Sequence, residues 1–581
     1  MSQTTGRTVT TDDGIDLAVH EQGPTGAATV VLVHGYPDDH TVFDGVAAEL
    51  EHRFRVVRYD VRGCGASGVP TSTRGYALPR LAADLGAVLD AVSPHEPVHL
   101  VAHDWGSIQA WEAVTDPAFA DRLASFTSIS GPSLDMAAIW LRGGARRPGA
   151  ALTQLAHSYY VGLFQLPVLP ELAARHGLVG ALVTRSARAG TPWARRRPRL
   201  TPAVDDAVNG IELYRANIGA RLARPRPRRT GVPVQVLAPT HDPHVTTALQ
   251  TEAPRPFVDR LHTRSIVGNH WVVTQRPAMV AAKITEFIDH VTGGPLPRSL
   301  RPAQERPDGD FGGQLVLVTG GGSGIGRATC LELARRGADV VVADIDETTA
   351  KETATLVAET GREAWAYTLD VADPEAWDRL AEQVTTAHGV PDVVVNNAGI
   401  GMGGAFLDTS VDDWRRIIDV NLWGVIHGSR VFGRLLAERG EGGHVVNVAS
   451  AAAFAPSRIM SAYGTTKAAV LALTESLRAE LSFAGVGVTA VCPGFVDTNI
   501  SRTTRFVGTD DAEQARLSAR QQASYRRRNY TPERLARHLV DAVVADKPVA
   551  AISAEARFFQ LGHRYVPALT RRLARLDLNQ V

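Results

Sequence analysis

The chain has 581 residues, 44% of them hydrophobic, and its 61 Lys+Arg are matched by 61 Asp+Glu. That length suggests about four domains, or equally two or three large ones such as α/β domains, and the apolar content supports sizeable cores. Zero net charge excludes the global pull toward nucleic acid or membrane that a strongly basic chain has. Cys64, Cys330 and Cys492 lie far apart with no paired spacing, which points to a reducing compartment and no metal cluster. The N-terminus has no apolar signal core, and no apolar run reaches the ~18 residues of a spanning helix; the expectation is a cytoplasmic protein.

Ala28 to Val33 reads as a buried strand, followed by the turn His34-Gly35-Tyr36-Pro37, whose backbone N–H groups are suited to an oxyanion hole. Arg55 to Tyr59 is the next strand, and the glycines of Asp60 to Ser67 read as a tight turn. Val98 to Gly106 is then strand, sharp turn and helix start, with Asp104 at the turn and Ala102 and Gly106 around it. That is the geometry of a nucleophile elbow. An aspartate, with an ordinary pKa of about 3.9, is anionic at neutral pH. It suits attack on an sp3 carbon with a strained or good leaving group, leaving an alkyl ester on the enzyme. The plainer alternative is that Asp104 caps the following helix.

Between about Gly131 and Thr230 the strand–helix alternation lapses into helical, arginine-rich sequence, read as a cap. Residues 140–230 hold sixteen arginines and no lysine against four acids. This is either a solvated surface or a basic lid that draws in an anionic substrate or meets an anionic membrane. Two stretches of the cap stand out, Ser158 to Gln165 with Tyr160 beside Tyr159, and Glu212 to Asn217 with Tyr214. A phenol under a cap donates a hydrogen bond and then a proton, or packs as an amphipathic residue; spacing leaves both readings open. The sheet resumes at Val232 to Leu237, Asp242 follows in a loop, and His270 lies in the turn Ile266 to Trp271. His270 is the candidate general base and Asp242 the acid that orients it. His241 and His244 are rivals by type, but they sit on the acid's own loop, where reaching the elbow is harder. The order nucleophile, acid, histidine is that of α/β-hydrolases.

His34 to Pro37, His103 to Gly106, Asp242, His270 and the cap tyrosines together resemble the epoxide hydrolases of the α/β-hydrolase superfamily, over about residues 8–292. The resemblance implies that Asp104 attacks an epoxide carbon while Tyr160 and Tyr214 hold and protonate the alkoxide. The backbone of Tyr36 and Trp105 would form the oxyanion hole, and His270 would activate water to release a vicinal diol. Haloalkane dehalogenases share the Asp/His/Asp logic, and Trp105 suits halide binding. That family, however, commonly has asparagine where Tyr36 stands and does not need the tyrosine pair. Asp104 excludes a serine esterase.

Gly293 to Gly313 is rich in proline, glycine and charge without an apolar period. It reads as a linker over 293–312 between a domain of 1–292 and one of 313–581.

Leu315 to Val318 is a short strand running into Thr319 to Gly326, with Gly320, Ser323, Gly324, Ile325 and Gly326, and a helix follows from Arg327. Val340 to Ala343 is a second strand ending in Asp344. This context makes the glycine loop a dinucleotide cradle, with the pyrophosphate at the helix N-terminus. Asp344 accepts from ribose hydroxyls and would repel a 2′-phosphate by roughly 4 kcal/mol at an effective dielectric of about 20. The cofactor expected is therefore NAD; Arg327, a candidate phosphate partner, keeps NADP as the alternative. Asp370-Val371, Asn397, Asn421, Ser450, Tyr463, Lys467 and Pro493-Gly494 through Thr498 follow in order. Tyr463 and Lys467 share a helix face. An ammonium beside a phenol favours phenolate, giving an acid/base for an alcohol or ketone.

This series resembles the short-chain dehydrogenase/reductase family over about residues 313–556. The resemblance implies Tyr463 as the acid/base, Lys467 as its partner and ribose ligand, Ser450 on the substrate oxygen, and Asn421 supporting a relay water. It places the cofactor on Gly320, Ser323, Gly324, Ile325, Gly326, Asp344, Asp370, Val371, Asn397, Tyr463, Lys467, Pro493, Gly494 and Thr498. The tail from Phe558, with Arg564, Arg571, Arg572 and Arg575, is either a basic amphipathic helix at a membrane surface or packs on the dehydrogenase or at a subunit contact. Both halves together resemble bacterial fusions of an epoxide hydrolase with a short-chain dehydrogenase, some linked to lipid metabolism. The expectation is a two-activity α/β enzyme and, by analogy, a homo-oligomer. Its substrate would be a small molecule, anionic or lipid-like. In the contrasting reading, one half is only a ligand-binding scaffold.

Overall fold

Every residue of Thr29–Val33, Val98–His103 and Val234–Pro239 is buried. Parallel strands reach that state when helices cover both faces of a sheet, so they read as unbroken apolar runs rather than alternating ones. The computed structural model describes residues 5–188, 202–302, 308–496, 500–528 and 530–573, and the chain divides into two units, Met1–Arg306 and Pro307–Val581.

The strands of the first unit are β1 (Thr5–Thr10), β2 (Asp16–Gln22), β3 (Thr29–Val33), β4 (Arg55–Tyr59), β5 (Val98–His103), β6 (Leu123–Ile129), β7 (Val234–Pro239), β8 (Leu261–Ile266) and β9 (Arg301–Pro302). They form one sheet in the order β1-β2-β4-β3-β5-β6-β7-β8-β9. The pairs from β4 through β3 to β8 are parallel, and β1, β2 and β9 are antiparallel additions. The helix Leu78–Val92 turns Leu81, Leu85, Val88 and Leu89 inward at helical spacing, one apolar stripe laid on the sheet. Between β6 and β7 the described residues form seven α-helices, from Leu134–Arg142 to Ile211–Ala223.

The stretch read as a linker is ordered at both ends. Leu300 is buried, and Arg301–Pro302 pair with His262 and Thr263 at the edge of the first sheet. Phe311 is buried in the second core, and its N–H is donated to the Arg336 carbonyl. A lone apolar side chain at each end anchors a segment whose composition otherwise has no period.

The second unit contains β10 (Leu315–Thr319), β11 (Asp339–Asp344), β12 (Ala364–Thr368), β13 (Val393–Asn396), β14 (Met402–Gly403), β15 (Gly443–Val448), β16 (Val486–Pro493), β17 (Arg505–Phe506) and β18 (Val549–Ile552). The main sheet runs β12-β11-β10-β13-β15-β16-β18, and β14 pairs with β17. The order reverses at β10 and β13, so a crevice opens at the carboxyl ends of the strands, where doubly wound sheets bind ligands. Beneath it Asn396 donates to Asn447 (2.8 Å) on the neighbouring strand and to Ser429 (3.2 Å) on the helix Gly424–Arg439, a polar tie in the core. All three cysteines are free and buried. No helix among the described residues is long and apolar enough to cross a membrane.

Candidate active sites

Asp104 directly follows β5 and precedes the helix Trp105–Val114, with φ 51° and ψ −125°. A non-glycine residue takes such a conformation only when its surroundings enforce it. Here the sharp turn lifts the carboxylate off the strand end. Gly106 allows the turn, because a Cβ there would run into the Val33 and His34 carbonyls. The Tyr36 N–H donates to Asp104 Oδ2 at 2.8 Å, and the Trp105 N–H also serves this carboxylate. Two backbone donors thus serve one carboxylate, an arrangement suited to an oxyanion hole.

Asp242 and His270 come from the loops after β7 and β8. His270 Nδ1 donates to Asp242 Oδ2 at 3.0 Å, and its Nε2 stands 3.3 Å from Asp104 Oδ1. Asp242 Oδ1 also accepts the N–H groups of His244 (2.8 Å) and Val245 (3.0 Å). Burial works against the Asp242 charge, but His270 and these donors hold its pKa down to about 2. Burial likewise opposes a charged His270, yet Asp242 and Asp104 outweigh it and raise the imidazole well above its ordinary value. Asp104 is lowered, its burial overcome by His270.

Two side chains that the sequence did not single out support this triad. His103 Nε2 donates to the His270 carbonyl at 2.7 Å, and burial lowers the His103 pKa to about 4. Trp271 Nε1 donates to Asp38 Oδ2 at 3.1 Å. Burial raises that carboxyl to about 7 against the opposing Trp271 bond.

The cap supplies the roof. Tyr214 is buried, and its ring lies edge-on to Trp105 (centroids 4.8 Å apart), Tyr36 (5.5 Å) and Tyr160 (6.0 Å). The Tyr160 and Trp105 side chains thus both pack against the Tyr214 ring. Burial and the Asp104 charge push both phenols up, so both remain protonated donors. Tyr159, the neighbouring alternative, is 69% exposed. His241 is exposed and meets Thr240. His244 does reach the site: its ring packs edge-on to Tyr160 (5.0 Å) and to His270 (4.9 Å).

Part of the arginine excess of the cap is taken up, five of the described arginines being in ion pairs. Arg221 pairs with Glu112 and Asp135, both at 2.9 Å, and Arg228 with Glu112 at 2.9 Å. Arg229 pairs with Asp259 (2.6 Å), Arg215 with Glu171 (2.6 Å) and Glu212 (2.7 Å), and Arg147 with Glu252. Most of these acids lie outside residues 140–230, so a charge count over that window overstates the positive field of the cap.

The second site is a cleft of about 1570 Å³. Gly320, Ser323, Gly324, Ile325, Asp344, Asp370, Val371 and Asn397 line one part of it. Ser450, Tyr463, Lys467, Pro493 and Gly494 line another. Gly326 is not in the lining: a Cβ there would strike the Gly320 carbonyl, so its bareness lets loop and helix close on each other. Asn397 pins the loop by donating to the Thr319 carbonyl at 2.9 Å. Asp344 accepts the Gly322 N–H at 2.8 Å. Arg327 is turned to Glu352 (2.9 Å) and Thr353 (3.0 Å).

Lys467 donates to the Val448 carbonyl at 2.9 Å, and its Nζ lies 5.9 Å from the Tyr463 ring centroid. Burial lowers its pKa to about 8. Asn421 sits in a π-helical turn, Asp419–Trp423, and its amide bonds both the N–H (2.8 Å) and the carbonyl (3.0 Å) of Ile400. Ser450 Oγ accepts from the Ala452 N–H at 3.2 Å. Thr498 lies outside the described residues. Phe559 and Thr570 of the C-terminal tail also line the cleft, on helices Ala554–Tyr565 and Pro567–Leu573. Nothing in their local sequence marks them.

A model of the alpha/beta hydrolase fold matches residues 28–243, and one of short chain dehydrogenase matches residues 314–506. "Probable oxidoreductase EphD" of Mycobacterium tuberculosis is 43% identical over 588 residues, covering 99% of this chain and 99% of that one. The chain belongs to this family of fused α/β-hydrolase and short-chain dehydrogenase proteins. It is also 39% identical over 185 residues to 1-deoxy-11-beta-hydroxypentalenate dehydrogenase of Streptomyces exfoliatus, covering 32% of this chain and 67% of that one. A crystal structure of a short-chain dehydrogenase/reductase from Burkholderia phymatum in complex with NAD is 30% identical, covers 45% of this chain and 96% of that chain, and has a TM-score of 0.42.

The lining of the second site fits a nicotinamide cofactor. The bare glycine loop at a helix N-terminus suits a pyrophosphate, and the Asp344 carboxylate stands at the end of β11 where a ribose would lie.

Proposed function

We propose that the chain is a bifunctional enzyme. Its first site hydrolyses an epoxide to a vicinal diol through an Asp104 ester, and its second, with NAD, exchanges hydride with a secondary alcohol or ketone. The observation that carries the first assignment is the pair of protonated phenols, half-buried Tyr160 and buried Tyr214, roofing an anionic Asp104. Carboxylate attack opens the ring, and the oxygen that leaves as an alkoxide needs a proton donor above it. A halide needs none. The Trp105 side chain, which would serve a halide, packs edge-on against Tyr214 with centroids 4.8 Å apart, and this disfavours a dehalogenase.

The Tyr36 and Trp105 N–H groups then hold the ester carbonyl and the tetrahedral intermediate. Esterification removes the Asp104 charge that helped to keep His270 protonated. The imidazole becomes a base, takes a proton from water, and directs that water onto the Asp104 carbonyl carbon.

In the second site a bound nicotinamide supplies a hydride acceptor or donor. Ser450 holds the substrate oxygen while the Tyr463 phenol exchanges a proton with it, and the Lys467 ammonium stabilises the phenolate. The Asp344 carboxylate and the engagement of Arg327 elsewhere favour NAD over NADP. A vicinal diol is a secondary alcohol, so the first product belongs to the substrate class of the second site. The order epoxide, diol, hydroxyketone follows, with lipid-derived epoxides among the candidate substrates.

One experiment tests the mechanism. A single turnover in heavy-oxygen water should label the Asp104 carboxylate and leave the first diol unlabelled. Label in the first diol, with none on Asp104, would mean direct attack by water. Adding NAD and following NADH from the same diol tests the sequence of reactions.

A further inference from the structure

The ester mechanism leaves a proton imbalance, and His244 stands where it would be resolved. This inference rests on the reading of Asp104 as the nucleophile. When Asp104 Oδ bonds to the epoxide carbon, the carbon–oxygen bond breaks and its electron pair goes to the oxygen. That oxygen takes the Tyr160 proton, leaving a phenolate. His270, charged by its two carboxylates, still carries the proton that must leave before it can act as a base. One group has a proton too few and another a proton too many.

The His244 ring lies between them, 5.0 Å from the Tyr160 ring and 4.9 Å from the His270 ring between centroids, edge-on to both. At such ring separations, groups not in direct hydrogen-bond contact are joined through a single bridging water. Its main chain is occupied: the N–H donates to Asp242 at 2.8 Å, and the carbonyl accepts from Gln154 at 3.0 Å. No hydrogen bond to its ring nitrogens is found among the described residues.

We propose that His244 relays a proton from His270 to the Tyr160 phenolate. An imidazole accepts at one nitrogen and releases from the other, so it returns to its starting charge. Ring opening thereby converts His270 into the base for the second step. In that step water adds to the Asp104 carbonyl carbon and the ester bond breaks. The diol leaves with its hydrogen, and the remaining proton settles on His270. Asp104 is again a carboxylate, His270 an imidazolium and Tyr160 a phenol, so the cycle closes without exchange with bulk solvent.

The surroundings keep the relay uncharged at rest. Burial and the neighbouring His270 lower the His244 pKa to about 4, outweighing Asp242 and Asp104, with His157 acting in the same sense as His270. A relay that does not hold the proton passes it on.

The test uses the full-length protein with an epoxide, rapid quenching and mass spectrometry of the Asp104 peptide. In His244→Phe, which keeps a ring between Tyr160 and His270, the adduct should form at the wild-type rate. Its hydrolysis should slow by about 10²-fold, so the adduct accumulates. In His244→Ala, added imidazole should restore hydrolysis in proportion to its concentration. Wild-type hydrolysis rates in both variants would overturn the relay while leaving the nucleophile in place. So would slowed adduct formation with normal hydrolysis, which would make His244 a substrate contact. Absence of any Asp104 adduct in the wild-type protein would overturn the nucleophile reading and the relay with it.

Discussion

The two halves solve the problem of positioning reactive groups in opposite ways. In the hydrolase-fold half, the charges that would do the chemistry already touch: Asp104, His270 and Asp242 form a buried chain with contacts of 3.3 and 3.0 Å. In the dehydrogenase half, Ser450, Tyr463 and Lys467 stand around an open cleft, and Lys467 is held by a main-chain carbonyl. The first arrangement needs only substrate and water, so its nucleophile must belong to the protein and be kept ionised. The second keeps room for a cofactor that brings the hydride, so its side chains need only steer a proton. Covalent catalysis favours a dense, charge-balanced interior, and hydride transfer favours a large mouth.

The sharpest break between the halves should come from Asp104→Ala. Diol formation is expected to fall by at least about 10⁴-fold, while NADH production from added diol persists; both are read by product analysis and absorbance. Tyr463→Phe is the mirror experiment. It should lower NAD reduction by about 10²- to 10⁴-fold and let diol accumulate, with epoxide consumption unchanged. If either variant silences both activities, the halves are not independent.

Tyr214→Phe sharpens the account of the first half. Removing one donor to the developing alkoxide should cost about 10²-fold in kcat, measured on the initial rate of epoxide loss. Asp344→Ser probes the second: relief of repulsion should raise the NADP to NAD ratio of kcat/KM by about 10-fold or more. An unchanged ratio would remove the basis for preferring NAD.

A last effect concerns stability rather than rate. Folded Asp38 holds its proton up to about pH 7, against an ordinary value of 3.8. The unfolded chain therefore releases that proton first, and the native state loses stability as pH rises from about 4 to about 7. Asp38→Asn removes this loss. The Tm gap between variant and wild type should widen over that window and then level off, reaching up to about 4 kcal/mol in stability. A gap independent of pH would show that Asp38 does not titrate there.

The sequence made legible whatever depends on local order. Asp104 was visible because a strand, one residue and a glycine make an elbow. Asp242 and His270 followed from chain order, and the dehydrogenase set from a series of spaced motifs. What stayed hidden was set by long-range folding. His244 looked too close to Asp242 to reach the elbow. The Asp242 carboxylate in fact accepts the N–H groups of residues 244 and 245, curling the loop until the ring meets His270. The cap arginines looked unpaired because Glu112, Asp135, Glu252 and Asp259 are remote in sequence. Phe559 and Thr570 in the cleft wall come from a tail with no motif of its own.

The burial of all three cysteines bears on chemical durability. Epoxides alkylate thiolates, so under the proposed function an exposed thiolate would be open to modification by the substrate. Burial raises the pKa of Cys64 and Cys330 and pushes Cys492 up to about 12, with the Cys492 thiol opposed only by its Ser450 and Lys467 neighbours. None is a thiolate at neutral pH, and none is exposed. The described fold thus presents no ready thiolate to an electrophile, which under the proposed mechanism would leave the elbow carboxylate as the group that reacts.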